Sequence, residues 1–123
     1  MRVLIIDDED DIRRIARISL GRLGGMEVVD APSGAEGLRR AREGALDAIL
    51  LDVMMPGLDG PSTLAALRSD PATAGIPVIF LTAKAMSAEL RRLKELGVAD
   101  VLVKPFDPTT LPGQVRAALG GPR

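Results

Sequence analysis

The chain has 123 residues, no cysteine, no histidine and a net charge of −1. The missing cysteine and histidine exclude disulfides, thiolate or histidine metal sites, phosphohistidine on this chain and a histidine general base. The balanced charge gives no electrostatic reason for direct binding to nucleic acid or to a membrane.

The first part of the chain alternates predicted strands with predicted helices. The apolar runs VLIID at 3–7 and EVVDA at 27–31 indicate two strands. Between them, the segment DIRRIARISLGRL at 11–23 places apolar or small residues at helical spacing. After the second strand, Ser33 is followed three residues later by Glu36, a capping box that predicts the start of the second helix.

The alternation continues through the rest of the chain. Pro61 predicts the first turn of a third helix, where a missing N–H costs nothing, and Gly97 predicts the end of a fourth. A last helix is expected at about 109–119. It contains Pro112, which would cost up to ~3 kcal/mol in a helix interior, so this helix starts late, is kinked or has the proline in its first turn. The three further strands are AILLD at 48–52, VIFLT at 78–82 and DVLVK at 100–104.

Five strand–helix units of this kind predict an α/β three-layer sandwich around a parallel sheet. We expect one domain over residues 1–123, standing alone without an output domain. No stretch approaches the ~18 apolar residues of a transmembrane helix, and the apolar start is too short for a signal peptide. A soluble cytoplasmic protein is therefore expected.

Polar residues interrupt the apolar runs where the predicted strands end. Each has a structural explanation of its own, such as acids at a helix N-terminus or a lysine at the surface. Because ligands bind beyond the carboxyl ends of the strands in an open parallel sheet, their shared edge favours a common site. These residues are Asp7, Asp8, Asp52, Thr82 and Lys104.

The side-chain types at this edge define the chemistry. Clustered carboxylates repel one another, and a divalent cation relieves that repulsion; oxygen-only ligands favour Mg²⁺ or Mn²⁺. A lysine and a hydroxyl beside the cation would stabilise a transferring phosphoryl group. Since the chain has neither cysteine nor histidine, a carboxylate is the natural nucleophile. We therefore predict an aspartyl-phosphate, with Asp52 held rigidly at the end of its strand.

The stretches LIIDDEDD, LLDVMMPGLDG, VIFLTAK and VLVKPF, in this order, resemble a response-regulator receiver domain of two-component signalling. The resemblance implies a flavodoxin-like (βα)5 fold with five helices and a parallel five-stranded sheet of order 2-1-3-4-5. It also implies that Asp52 is the phosphoacceptor. Asp8, Asp52 and the backbone carbonyl of Met54 would bind Mg²⁺ directly, and Asp7 would act through a water.

The resemblance assigns roles to further residues. Thr82 would hydrogen-bond the phosphoryl group, and Lys104 would pair with a phosphoryl or carboxylate oxygen. The remaining roles are switching and tuning of the phosphoryl lifetime for Met54, Ala83 and Lys84, a cis peptide bond at Pro105, a tight turn at Gly60, and docking of the phosphodonor for Ile18 and Phe106.

The resemblance also implies partners. The phosphodonor would be a histidine kinase or a histidine phosphotransfer protein, and acetyl phosphate can also serve. Output would act on an unknown protein target through the face formed by helix 4, strand 5 and helix 5. On this face Val101 stands where the family usually has Tyr or Phe. We therefore expect phosphorylation to move Thr82 and the loop 83–86 while strand 5 responds weakly, and we do not expect conventional dimerisation there.

These residues and the resemblance predict that the protein is a signalling switch and not an enzyme that turns over a substrate. Three alternatives remain open. A phosphorylation-independent interaction module could use the same fold. A haloacid-dehalogenase-like phosphatase would need a D-x-D nucleophile on strand 1 and a cap insertion. A flavodoxin-like FMN carrier would need a hydroxyl-rich phosphate loop and aromatic side chains to stack the flavin.

Overall fold

The apolar runs form parallel strands, which are β1 (Arg2–Ile6), β2 (Glu27–Ala31), β3 (Ala48–Asp52), β4 (Val78–Thr82) and β5 (Asp100–Val103). The computed structural model describes residues 1–84 and 86–120 of the chain, and the five strands form one sheet of order β2-β1-β3-β4-β5. This order confirms the predicted flavodoxin-like α/β fold. β1 and β5 each end one residue earlier than predicted, so Asp7 and Lys104 begin the loops that follow them.

Five α-helices occur among the described residues: α1 (Asp10–Arg17), α2 (Gly34–Ala41), α3 (Gly60–Ser69), α4 (Ser87–Lys94) and α5 (Leu111–Ala118). The Ser33 hydroxyl accepts the N–H of Glu36, which confirms the predicted cap of α2. The carboxylate of Asp59 caps α3 by accepting the N–H of Ser62. None of the described helices is long and apolar enough to cross a membrane.

The predicted first helix divides into two parts. α1 is continued by a π-helical segment, Ile18–Leu23, in which the N–H of Gly24 reaches the carbonyl of Ser19. The wider turn buries the neighbouring residues Ser19 and Leu20 together. The hydroxyl of Ser19 donates to the carbonyl of Pro108, so this segment is tied to the chain that leads into α5.

The last helix begins later than predicted, at Leu111. Pro112 therefore lies in the first turn, where its missing N–H has no helical acceptor and costs little. The preceding turn is stabilised by Asp107, whose carbonyl accepts the N–H of Leu111 and whose carboxylate accepts the N–H of Thr109. The proline does not interrupt the helix interior.

Both faces of the sheet are covered by helices. One apolar cluster joins the sheet to α2, α3 and α4, and the other joins it to α1, the π-helical segment and α5. β3 lies at the centre of the sheet, and all five of its residues are buried. The first cluster includes Leu4, Ile49, Leu51, Phe80, Leu64, Leu67 and Leu93, and the second includes Ile5, Leu50, Ile79, Leu81, Leu20, Leu111 and Val115.

The loop from β3 to α3 passes very close to the end of β3. In this loop the left-handed conformation belongs to Gly57, with φ of 73°, and not to Gly60, the residue predicted to provide the tight turn. Gly60 is required for a different reason. A Cβ atom there would lie 2.6 Å from the carbonyl oxygen of Asp52 and 2.7 Å from Cα of Val53.

We predict that Gly60→Ala destabilises the protein by about 1–3 kcal/mol, because backbone atoms on both sides have to move. Gly113→Ala is the matched control, since its Cβ would meet nothing within 4 Å. Alanine in that helix should be neutral or stabilising by up to about 1 kcal/mol. Urea unfolding of both variants measures the difference, and similar effects at the two positions would contradict the explanation.

Candidate functional site

Asp52 is the last residue of the central strand β3, and it is only 4% exposed. Its neighbour in β4 is Leu81, whose carbonyl accepts the N–H of Val53, so the sheet pairing continues past the carboxylate. The strand therefore fixes the backbone on both sides of this acid.

Asp7 and Asp8 follow β1, the strand next to β3. Asp7 is fully buried, and its carboxylate accepts the N–H of Glu9 at 2.9 Å, whereas Asp8 is exposed. One carboxylate oxygen from each of Asp7, Asp8 and Asp52 lies within 4.8 Å of the others. The predicted acidic cluster at the carboxyl edge of the sheet is thus brought together.

Lys104 reaches this cluster from the far strand β5. Its Nζ lies 2.7 Å from Oδ2 of Asp7, 3.2 Å from Oδ1 of Asp52 and 3.6 Å from Oε1 of Glu9. The N–H of Lys104 donates to the carbonyl of Thr82, and the peptide bond between Lys104 and Pro105 is cis, as the resemblance implied.

The charges of the site oppose one another. Burial raises the pKa of Asp52 to about 6, and the negative charge of Asp7 adds to the increase, although the nearby Lys104 ammonium partly offsets both. Burial also disfavours the charged form of Lys104, but its hydrogen bond and charge interaction with Asp7, and then with Asp52, outweigh burial and raise its pKa. The lysine therefore remains positive while ionisation of Asp52 is costly.

The three acids fit a hard divalent cation. All their donor atoms are oxygens, which is the ligand type that Mg²⁺ and Mn²⁺ prefer. Oδ2 of Asp7 is buried and lies 2.7 Å from the Lys104 ammonium, whose N–H can use only one of its lone pairs. Such an oxygen retains lone pairs that a cation or a bound water can use.

The residues predicted to hold the phosphoryl group or to tune its lifetime lie at the ends of β3 and β4 or just after them. Thr82 is buried, and its hydroxyl accepts the N–H of Lys84 at 3.1 Å. Met54 is 62% exposed. Met54 and Lys84 both line a cleft of about 390 Å³ that also contacts α3 and α4. Ala83 is exposed, and Ala85, in the loop expected to move, lies outside the described residues.

The predicted docking and coupling residues differ in their exposure. Ile18 is 46% exposed at the start of the π-helical segment. Phe106 is partly buried and packs on the apolar cluster beneath α1 and α5. Val101 is buried in the opposite cluster. The docking roles of Ile18 and Phe106 remain predictions.

Three contacting residues were missed in the sequence. Glu9 approaches Lys104, and Arg13 donates through Nη1 to the carbonyl of Asp7 while its Nε donates to Asp30. Asp30 lies near the carboxyl end of β2, so the edge rule applied to the other strands would have found it. Arg13 carried a weaker signal, namely a basic residue two positions after an acidic run.

Comparison with known proteins agrees with this geometry. Residues 3–116 match the family model described as the response regulator receiver domain. The transcriptional regulatory protein PrrA of Mycobacterium tuberculosis is 43% identical over 119 residues, covering 96% of this chain and 49% of PrrA. A probable transcriptional regulator, ycf27 of Guillardia theta, is 40% identical over 96% of this chain and 45% of its own length. The chain therefore spans about half the length of these relatives.

Solved structures give the same result. The chemotaxis response regulator CheY4 of Vibrio cholerae has a TM-score of 0.87 and 32% identity, over 95% of this chain and 97% of that one. A putative response regulator from Chloroflexus aurantiacus has a TM-score of 0.86 and 34% identity, over 97% of both chains. At these identities the likeness extends from fold to family.

We predict that Asp52→Asn stabilises the protein in a metal chelator at pH 8. Asparagine has the shape of the protonated acid, and the pKa of Asp52 is raised from 3.8 to about 6. Ionisation of Asp52 above pH 6 therefore lowers the free energy of unfolding by about 1–3 kcal/mol. Because a raised carboxyl pKa penalises folding only at pH values above the unfolded pKa, the advantage of the variant should shrink between pH 7 and pH 4.

Urea unfolding in chelator at several pH values measures this dependence. Asp59→Asn is the control, because hydrogen bonds from Ser62 lower the pKa of that exposed carboxyl. It should gain no stability at pH 8. A pH-independent difference between wild type and Asp52→Asn would contradict the assigned cause.

Proposed function

This chain belongs to the response regulator receiver domain family of two-component systems, and from that premise we propose that it is a phosphoryl-accepting switch with Asp52 as the acceptor. The observation that carries the proposal is the arrangement around Asp52. A buried carboxylate at the end of the central strand lies within ligand distance of two further acids and 3.2 Å from a lysine ammonium.

The proposed cation is Mg²⁺, which Mn²⁺ could replace. Asp8, Asp52 and the backbone carbonyl of Met54 would hold it directly, and Asp7 would hold it through a water. The cation would neutralise carboxylate charge and polarise the phosphoryl oxygens. The oxygen-only donors and the remaining lone pair of the buried Oδ2 of Asp7 support this assignment.

The proposed reaction transfers one phosphoryl group from a phosphohistidine of a histidine kinase or phosphotransfer protein. A carboxylate oxygen of Asp52 attacks phosphorus, and a P–O bond forms as the P–N bond to the donor imidazole breaks. The electron pair of the broken bond returns to the imidazole nitrogen. Because the donor group ends on the protein itself, the event is a single phosphorylation and not turnover of a substrate.

Two side chains would stabilise the transferred group. Lys104 already lies beside Asp52, so its ammonium would pair with a phosphoryl oxygen with little movement. The Thr82 hydroxyl accepts the N–H of Lys84 in this structure and would have to turn to donate to the phosphoryl group. Loss of that acceptor frees the backbone of Lys84, so the loop after β4 would respond first.

The output side of the proposal concerns α4, β5 and α5. Val101 is an apolar, buried residue of β5, and it offers no hydroxyl that could follow Thr82. We propose that the signal is carried mainly by the end of β4 and the start of α4 to an unidentified protein target. We further propose that this domain itself makes no direct contact with nucleic acid, which its net charge of −1 supports.

The main alternative is an interaction module that works without phosphorylation. Val101 favours it, because it replaces the Tyr or Phe that usually responds to phosphorylation in this family. Pro112 does not favour it, because the proline lies in the first turn of an intact helix. The phosphatase and flavodoxin alternatives belong to other families, and we do not propose them.

We predict that the pure protein incubated with acetyl phosphate and Mg²⁺ gains the mass of one phosphoryl group. Intact-mass spectrometry measures the gain. Asp52→Asn should show none, and neither should wild type in chelator, because acceptor and cation are both required. Asp47→Asn is the matched control, since this exposed carboxylate precedes the opposite end of β3 and should not affect labelling.

A gain that persists in Asp52→Asn would place the acceptor elsewhere. If neither acetyl phosphate nor a phosphohistidine donor labels the wild type, the interaction module becomes the better explanation. Either result would overturn the proposed switch at a defined step.

We predict an uneven structural response to phosphorylation. Amide chemical shifts should change strongly at Thr82, Ala83 and Lys84, because Thr82 exchanges its hydrogen-bond partner, and weakly at Val101 in β5. A ¹⁵N-labelled sample with and without acetyl phosphate provides the comparison, with Asp52→Asn under the same conditions as the control. A change at Val101 as large as that at Thr82 would show that coupling to β5 needs no aromatic side chain.

A further inference from the structure

Arg13, in the first turn of α1, connects the ends of β1 and β2 at the carboxyl edge of the sheet. Its Nη1 donates to the backbone carbonyl of Asp7 at 2.7 Å, its Nε donates to Oδ2 of Asp30 at 3.2 Å, and its Nη2 donates to Asp10. The side chain is only 14% exposed. A planar guanidinium is well suited to hold several acceptors in fixed directions.

The bond to Asp7 acts on the peptide unit between the two acids. The carbonyl of Asp7 belongs to the same planar group as the N–H of Asp8, so fixing one end fixes the other. Within residues 1–84 and 86–120, the carboxylate of Asp8 has no recorded hydrogen bond or ion pair. The direction of the Asp8 side chain therefore depends on its backbone, and hence on Arg13.

The bond to Asp30 anchors Arg13 to the sheet. Asp30 pairs with Ile5 in the register of β1 and β2, and the next rung joins the N–H of Asp7 to the carbonyl of Ala31. Arg13 is thus held by the strand next to β1 as well as by its own helix. A side chain anchored in this way can hold a loop to the geometry of the sheet.

Charge alone does not explain the arrangement. Asp10 and Asp30 both pair with the guanidinium, so its positive charge is already matched before Asp7 is considered. The interaction of Arg13 with Asp7 is therefore a directed hydrogen bond from the guanidinium to the backbone carbonyl, not a charge pair. The effect of Arg13 on the acidic loop should therefore depend on donor geometry more than on net charge.

We propose that Arg13 is a positioning residue for the cation site, which holds the Asp7–Asp8 peptide so that both carboxylates face Asp52. The inference rests on the proposed function, because it concerns the cation that these acids would bind. It assigns Arg13 no contact with the phosphoryl group. Outer groups that orient metal ligands typically change metal affinity by about 10–100-fold when they are removed.

The test is titration calorimetry of the full chain with MgCl₂. Arg13→Met should raise the dissociation constant for Mg²⁺ by about tenfold. Arg13→Lys, which can still donate to the Asp7 carbonyl, should recover part of the loss. Arg17→Met is the matched control, because Arg17 pairs with the same Asp30 at 3.2 Å and makes no recorded bond to Asp7 within the described residues. Its dissociation constant should stay near that of wild type.

Phosphorylation by acetyl phosphate provides a second readout. In Arg13→Met the Mg²⁺ concentration for half-maximal labelling should rise, while the rate at saturating Mg²⁺ should stay close to that of wild type. A purely structural role would lower stability in chelator without this shift. Equal Mg²⁺ affinities for Arg13→Met and Arg17→Met would overturn the inference.

Two further outcomes are decisive. If Arg13→Met does not fold, Asp30→Ala takes its place, since it keeps the arginine and removes the acceptor of its Nε–H. It should also weaken Mg²⁺ binding, and an unchanged affinity would overturn the inference. If the wild type itself binds no Mg²⁺, the proposed cation site fails, and the inference fails with it. If the wild type binds Mg²⁺ and Arg13→Met binds it equally well, the role of Arg13 is refuted and the proposed cation site is not.

Discussion

The site depends on the burial of two carboxylates side by side, Asp7 directly after β1 and Asp52 at the end of β3. Neither is accessible enough to be solvated by bulk water, and their repulsion raises the cost of ionising Asp52. Lys104 relieves part of that cost by lying between them. To do so it reaches from the edge strand β5 past the end of β4, so the sheet order and the loop after β5 are both required. With Asp8 included, three carboxylates face one ammonium, and the remaining negative charge is what a divalent cation would balance.

The surrounding structure keeps these charges from moving apart. β3 is buried along its whole length, and helices pack on both faces of the sheet, so β3 cannot shift Asp52 away from Asp7 without loss of core contacts. Gly60 adds a second restraint, because the start of α3 lies directly against the backbone of Asp52 and Val53. A flexible site would lower the repulsion by separating the acids. A rigid one retains it, and the retained repulsion favours binding of a cation.

The sequence was sufficient for the strands and for most of the edge residues. Continuous β-branched runs specify buried parallel strands, and the edge rule then brings Asp7, Asp8, Asp52, Thr82 and Lys104 together without knowledge of any distance. Contacts that depend on which strands are neighbours were not predictable in the same way. The link from Arg13 to Asp30 exists only because β2 lies beside β1, and the contact from Lys104 to Asp7 crosses two strands. The π-helical segment was missed, and the start of α5 around Pro112 was left open among several possibilities, for a local reason. Apolar spacing does not separate a π-turn from an α-turn, and propensity does not place Pro112 within a helix.

Under the proposed function, the groups that would bind the phosphoryl oxygens already have partners. Lys104 is held by Asp7 and Asp52, and the Thr82 hydroxyl is held by the N–H of Lys84. A neutral hydrogen bond of the latter kind is worth about 1 kcal/mol, and one to a charged acceptor about 1.5–3 kcal/mol. The exchange at Thr82 is therefore favourable when a phosphoryl group is present and unfavourable when it is absent, which is the condition for a switch. The exchange releases the backbone N–H of Lys84, which lies just after β4. The first conformational change is therefore expected in that loop. The side chain of Val101 has no polar atom that could form a hydrogen bond with Thr82. Under the proposed function we therefore expect β5 to respond only weakly.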